Sequence, residues 1–251
     1  MCTVTFSPRT RGYALAMNRD EKLSRATGLP PAEKSVQGRK ILAPSETGGG
    51  TWIALNDRGT TFALINWYAI TTRVQTKPVS RGTVVTTVSS ITTDRGVKQA
   101  LEQLPLRRMN PFRLIGIFPE ENKVLEWRWN LKTLSHKIHP WRIQQWISSG
   151  FDEPTAQGIR GEIFQQFSRQ TSVRTLNWLR RLHSSHLPTA GPFSTCMHRS
   201  DAATVSYTEI TVSSQNSAMR YFSGALCQCS PVQLEVRTLK LISRVAAPLI
   251  N

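Results

Sequence analysis

Two β-prone runs, Val4-Thr5-Phe6 and Tyr13 to Met17, flank the turn Pro8-Arg9-Thr10-Arg11-Gly12 and read as a β-hairpin that begins at the second residue. This placement constrains the fold more than any other feature. Pairing the two strands sets Cys2 beside the end of the second, where Asn18-Arg19-Asp20-Glu21 emerges, so polar groups gather at one end of a sheet. With Met1 removed, Cys2 carries a free α-amino group whose ordinary pKa, about 7.7 to 8.0, lies close to the thiol's value of about 8.5. Proton transfer between such matched groups costs little, so Cys2 is expected as a nucleophile with its own base. The competing reading makes it an ordinary small residue in a first strand.

Further along, Thr51 to Leu55 and Thr61 to Asn66 predict a second hairpin across Asn56-Asp57-Arg58-Gly59, whose Asn, Asp and Gly supply turn conformations. The stretch from Gly28 to Gly50, rich in Gly, Pro and Ser, reads as a loop. Thr83 to Val88 reads as strand or loop edge, and Asp94 caps a helix to about Leu104. Strands are expected over Phe112 to Phe118 and Lys123 to Asn130, with Pro119 to Asn122 as their turn. The middle reads as helical: Ile159, Ile163 and Phe167 recur four apart between Pro154 and Ser168, and Val173 to Leu182 repeats apolar residues every third position. Strand returns at Ala203 to Val212 and Met219 to Phe222.

Strand pairs, then helices, then strands predict an α+β layered sandwich. A chain of 251 residues can build it as one domain, 1–251. Hydrophobic residues make up 39% of the sequence, too many for a disordered chain. Met1 to Phe6 lacks the apolar core of a signal peptide, and the longest apolar run, Phe62 to Ile70, is broken by Asn66. A soluble, cytoplasmic protein without a membrane span is expected.

Against 16 Asp and Glu stand 32 Lys and Arg, a net charge of +16 that draws anions. The basic residues are scattered from Arg9 to Arg244 and match no nucleic-acid-binding motif, so the expected partner is a small anionic ligand instead of nucleic acid. No cofactor or metal is called for. A zinc reading would combine Cys227 and Cys229 with Cys196 and His198, a spacing without the usual Cys-x2-Cys signature. His183 and His186 read as a solvated pair. Trp52 and Trp67 could line a pocket, although alternation along their strands favours core packing.

The segment Met1-Cys2-Thr3-Val4-Thr5-Phe6, the basic turn, and Tyr13-Ala14-Leu15-Ala16-Met17-Asn18-Arg19-Asp20-Glu21 together resemble the NRDE family, also called the transport and Golgi organization protein 2 family. Four further segments match in order: Gly49 to Asn56 with Gly59 and Asn66 behind it, Ser80-Arg81-Gly82, Asn110 to Leu114, and Met197-His198-Arg199 running into Asp201 to Val205. More remotely the family is similar to the choloylglycine-hydrolase and penicillin-acylase branch of the N-terminal-nucleophile hydrolases. That similarity implies a four-layer αββα sandwich.

It also implies roles. Cys2, Asp20 and Asn66 match the nucleophile, the aspartate that supports its ammonium and an oxyanion-hole asparagine; Asn18, Arg19, Trp52, Arg81, His136 and Arg199 are expected around the substrate. The sequence departs from those hydrolases at two places. Met17 stands where they carry arginine, with Arg19 two places later, and His136 stands for their second asparagine. The resemblance therefore implies either a hydrolase or acyl transferase acting on a small amide, ester or thioester, or a carrier of haem, acyl-CoA or a related lipid-type ligand. For haem, the candidate iron ligands are Cys2, His136, His139 and His198.

Overall fold

The computed structural model describes residues 2–230 and 233–242; the expected removal of Met1 falls outside them. The opening hairpin pairs β1 (Cys2–Pro8) with β2 (Tyr13–Lys22). Next come β3 (Leu29–Val36), β4 (Arg39–Ser45), β5 (Ile53–Asn56) and β6 (Thr61–Asn66), followed by helices α1 (Gly82–Val88) and α2 (Asp94–Glu102). Four strands succeed them: β7 (Phe112–Phe118), β8 (Lys123–Trp129), β9 (Leu134–His139) and β10 (Gln144–Ser148). Helices α3 (Glu153–Ser168) and α4 (Leu176–His183) precede β11 (Ala202–Val212), β12 (Asn216–Phe222) and β13 (Glu235–Lys240).

The strands form two antiparallel sheets, one ordered β10-β1-β2-β11-β12-β13 and the other β3-β4-β5-β6-β7-β8-β9. Three apolar clusters follow from the alternation of side chains across each strand. Val4, Phe6, Leu15 and Met17 of the first sheet meet Ile53, Leu55, Ile65 and Ile115 of the second between the sheets. On the outer face of the second sheet, Phe62, Leu114 and Trp127 pack against Val84, Val85 and Val88 of α1 and Val97 and Leu101 of α2. On the outer face of the first, Ala14, Ala16 and Tyr207 lie under Ile163 of α3 and Trp178, Leu179 and Leu182 of α4. Helices, sheet, sheet and helices make the expected αββα sandwich. Covering both faces explains why every residue of β1 is buried, polar ones included.

Several local expectations are corrected. The Gly28 to Gly50 stretch is mostly the hairpin β3–β4, turning at Gln37 and Gly38, both with positive φ. Its Pro30 and Pro31 sit on an edge strand beside a register shift, where missing N–H donors cost little. Thr83 to Val88 is helix, because burial of Val84, Val85 and Val88 outweighs the modest helix aversion of β-branched residues. Thr93, not Asp94, caps α2, its side chain accepting from the Gly96 N–H. Before α3, strands β9 and β10 occupy a stretch to which the sequence pattern assigns no element.

One polar contact ties the two sheets together near the first hairpin. Tyr13, fully buried, donates its hydroxyl to the Gly59 carbonyl at 2.7 Å and meets the Thr61 hydroxyl. Gly59 holds φ +73° in the β5–β6 turn, a conformation that favours glycine.

Candidate functional site

In the β10-β1-β2 register, Cys2 lies opposite Ser148 on one side and Arg19 on the other. Directly opposed residues share a face, so the Cys2 and Arg19 side chains point the same way, with Asp20 next along the strand. All three residues line a cavity of ≈ 210 Å³ whose walls include Thr51, Trp52, Asn66 and Arg81. Cys2 is buried. Burial pushes its thiol above the ordinary value and the Asp20 charge adds to that, while Arg19 and a hydrogen bond from the Asp20 backbone oppose it.

Asp20 sits where β2 meets a bulge in β11, with Thr204 opposite Asp20 and Ser206 opposite Arg19. The Thr204 hydroxyl donates to Asp20 Oδ1 at 2.7 Å and Arg160 Nη1 lies 3.3 Å from Oδ2. Arg160 also donates to Thr3 Oγ1 and to the carbonyls of Pro192 and Phe193. Among the described residues Arg19 and Asp20 do not form an ion pair with each other. Arg19 instead reaches Glu46 at 2.9 Å and Glu21 at 3.4 Å, with its guanidinium 4.5 Å from the Trp52 ring centre. Arg25 bridges the same two glutamates. Burial pushes the Glu21 carboxyl up, but the Lys22 N–H, Arg25 and Arg19 help to outweigh it and the group is held low.

Asn66 donates to the Tyr68 hydroxyl at 2.9 Å. Burial pushes that phenol up, yet the Asn66 hydrogen bond and the Arg81 charge help bring it below its ordinary value. Arg81 donates to the Pro111 carbonyl and makes no ion pair among the described residues; desolvation lowers its pKa. Its wall is set by two glycines. A Cβ on Gly82 would lie 3.0 Å from the Gly50 Cα, and one on Gly50 3.1 Å from the Gly82 Cα, so backbone approaches backbone and Thr51 N–H reaches the Gly82 carbonyl. The segments Gly49-Gly50-Thr51-Trp52 and Ser80-Arg81-Gly82 are thus two halves of one wall.

Of the expected site residues, Cys2, Arg19, Asp20, Trp52, Asn66 and Arg81 come together. Trp52 serves core and cavity at once, and its indole N–H has no partner among the described residues. Asn18 does not join them. Alternation along β2 turns it to the helix face, where it donates to the carbonyls of His183 and Thr195 and its Oδ1 meets His183 Nδ1. His183 is fully buried, contrary to its reading as half of a solvated pair. His136, on β9 and so three strands from β6, is exposed in a separate hollow with Trp127 and the α2 residues Asp94 and Lys98. Arg199 pairs with Asp201 and stacks on Phe151, outside the cavity. Neither His139, bound to Glu126, nor His198, which faces His186, lines the cavity.

Sequence reasoning missed Arg160, Tyr68 and Glu46. Arg160 left a signal: it falls on the buried stripe Ala156–Arg160–Ile163 of α3, where an apolar residue would continue the pattern. Tyr68 and Glu46, in irregular or turn-rich segments, left none.

The family model described as Transport and Golgi organisation 2 matches residues 1–153. Among curated proteins, no sequence matches. Among solved structures, penicillin V acylase from Agrobacterium tumefaciens superposes with a TM-score of 0.53 at 10% identity, over 96% of this chain and 86% of its own. Two variants of conjugated bile acid hydrolase from Clostridium perfringens give TM-scores of 0.55 and 0.54 at 8% and 9% identity, each over 100% of both chains. At such identities the likeness establishes the fold, which is of the N-terminal-nucleophile hydrolase type. Among the described residues no helix is long and apolar enough to cross a membrane.

Proposed function

We propose that this chain, which belongs to the Transport and Golgi organisation 2 family, is a cysteine-dependent hydrolase or acyl transferase acting in the cytoplasm on a small anionic amide, ester or thioester. The observation that carries the reading is the convergence of Cys2, Asp20, Asn66 and Arg81 on one polar cavity at the end of the first hairpin. Cys2 Sγ attacks the acyl carbon and its proton passes to the freed α-amino group, which Asp20 supports. The amine, alcohol or thiol leaves with that proton, and the acyl group then passes to water or to an acceptor. Asn66 donates to the developing oxyanion, a contribution typically of about 2.7 to 4 kcal/mol. Arg81 takes the anionic group, since Arg19 is already matched by Glu21 and Glu46. A cavity of ≈ 210 Å³ is smaller than the roughly 300 to 1,000 Å³ of drug-sized sites, which fits the reacting end of a substrate.

A second reading has its own support. Burial raises the Cys2 thiol, which disfavours the thiolate nucleophile and leaves the cavity as a binding site without catalysis, for haem, acyl-CoA or a similar ligand. A panel of short acyl thioesters, esters and amides, with hemin and acyl-CoA binding measured alongside, separates the two. Hydrolase chemistry requires product formation that Cys2→Ala abolishes and Asp20→Asn lowers at least about a hundredfold, within the range of acid–base contributions. Saturable binding unchanged in Cys2→Ala, with no turnover, would reject it in favour of the carrier.

A further inference from the structure

Away from the Cys2 cavity, four side chains point their donor atoms at a common centre. His186 Nε2 lies 3.1 Å from His198 Nε2, which lies 3.4 Å from Cys227 Sγ and 3.7 Å from Cys196 Sγ. All four donor atoms are within 4.8 Å of one another. A tetrahedral ion about 2.0–2.1 Å from each nitrogen and 2.3 Å from each sulfur sets its ligand atoms roughly 3.3 to 3.8 Å apart; the two nitrogen–sulfur edges of 3.4 and 3.7 Å fall in that range and the nitrogen–nitrogen edge of 3.1 Å lies just below it. We propose that His186, Cys196, His198 and Cys227 form a structural site for one zinc ion, independent of the catalytic reading, which fastens the 184–201 segment to the turn at Leu226–Gln228.

The grouping of Cys196, His198, Cys227 and Cys229 by sequence differs from this site in one member. Cys229 Sγ turns to the Ser230 carbonyl, and His186, far upstream, takes its place. Burial pushes the Cys196 thiol up to about 12, so without a cation it stays protonated. A divalent ion reverses this locally, each thiol releasing its proton to solvent as its sulfur binds. His186 is exposed, which gives the ion an entry path, and four protein ligands leave no open position for catalysis.

The segment needs such a clip. Residues 184–201 contain no helix or strand, an uncommon length for a loop in a compact domain. Yet the carbonyls of Pro192 and Phe193 hold Arg160, and that of Thr195 holds Asn18. The clip therefore fixes the scaffold behind Asp20.

Untagged full-length protein, purified without chelator, tests the site by elemental analysis and by Co²⁺ titration of the metal-free chain. The expected result is zinc and protein in equal amounts, with thiolate-to-cobalt charge transfer and the visible bands of a tetrahedral centre. His186→Ala and Cys227→Ser should each weaken Co²⁺ binding by more than the roughly tenfold cost of losing an outer partner, while Cys229→Ser changes nothing. A readout on the unmodified chain covers any variant that fails to fold: zinc shields Cys227 from alkylation, and a chelator exposes it. Absence of charge transfer, zinc content indifferent to both substitutions, or a Cys196–Cys227 disulfide in the native protein would overturn the proposal.

Discussion

Asn18 and Asp20 stand two apart on one strand, and each meets the helical layer, Asn18 at the His183 carbonyl and Asp20, which also lines the cavity, at Arg160; Arg19 between them turns with Cys2 to the cavity. The tetrapeptide was legible as a cluster, but its division was not. Which neighbour each side chain meets depends on α3 and α4, whose register against the sheet no local pattern encodes. His183 shows the same limit, since its partners Asn18 and Thr5 lie on strands remote in sequence. Burial, with the Arg160 charge added, holds its pKa down to about 3, so the folded protein contains neutral imidazole. A histidine depressed in the folded state contributes stability that is present above its unfolded value, near 6.5, and is lost as pH falls toward the folded one. Between pH 7 and 5 this amounts to about 2 kcal/mol of lost stability. Urea unfolding should show that slope in the parent chain and a flatter profile in His183→Gln, already weaker at pH 7. Equal slopes would contradict the assignment.

At the scale of elements, hairpins β1–β2 and β5–β6 and strands β7, β8, β11 and β12 were readable, because alternation and turn residues agree there. Elements whose residues contradict their state were not. Helix α1 is β-branched, and edge strand β3 carries two prolines; each is stabilised by what packs on it or tolerated by what does not. The glycines of the cavity wall give this a measurable form. Gly82→Ala places a Cβ against the Gly50 backbone and should cost about 1–3 kcal/mol in urea unfolding, as overpacking does. Gly158 is exposed on α3, and a methyl added there would meet nothing within 4 Å. As Ala it should gain roughly 0.5–1 kcal/mol. Similar effects at the two positions would show that the wall yields and that Gly50 and Gly82 do not set it.

For the whole molecule, four layers bring the ends of β1, β2, β6 and the segment before α1 to one rim, although these segments are spread from residue 2 to residue 82. The layer order followed from the run of strands and helices together with the resemblance; the rim followed for residues on the two early hairpins and for Arg81. His136 and Arg199 were misplaced because correspondence along a motif does not fix a position across sheets. The chain carries a net charge of +16, but at this rim Glu21 and Glu46 pair with Arg19 and Arg25, while Arg81 makes no ion pair among the described residues. The most direct measurement is intact-mass spectrometry with peptide mapping of the chain as isolated from cells, before and after a short incubation with an acyl thioester. The account expects a terminus beginning at Cys2 and an acyl group on that residue alone. A chain that keeps Met1 throughout and takes up no acyl group would contradict it.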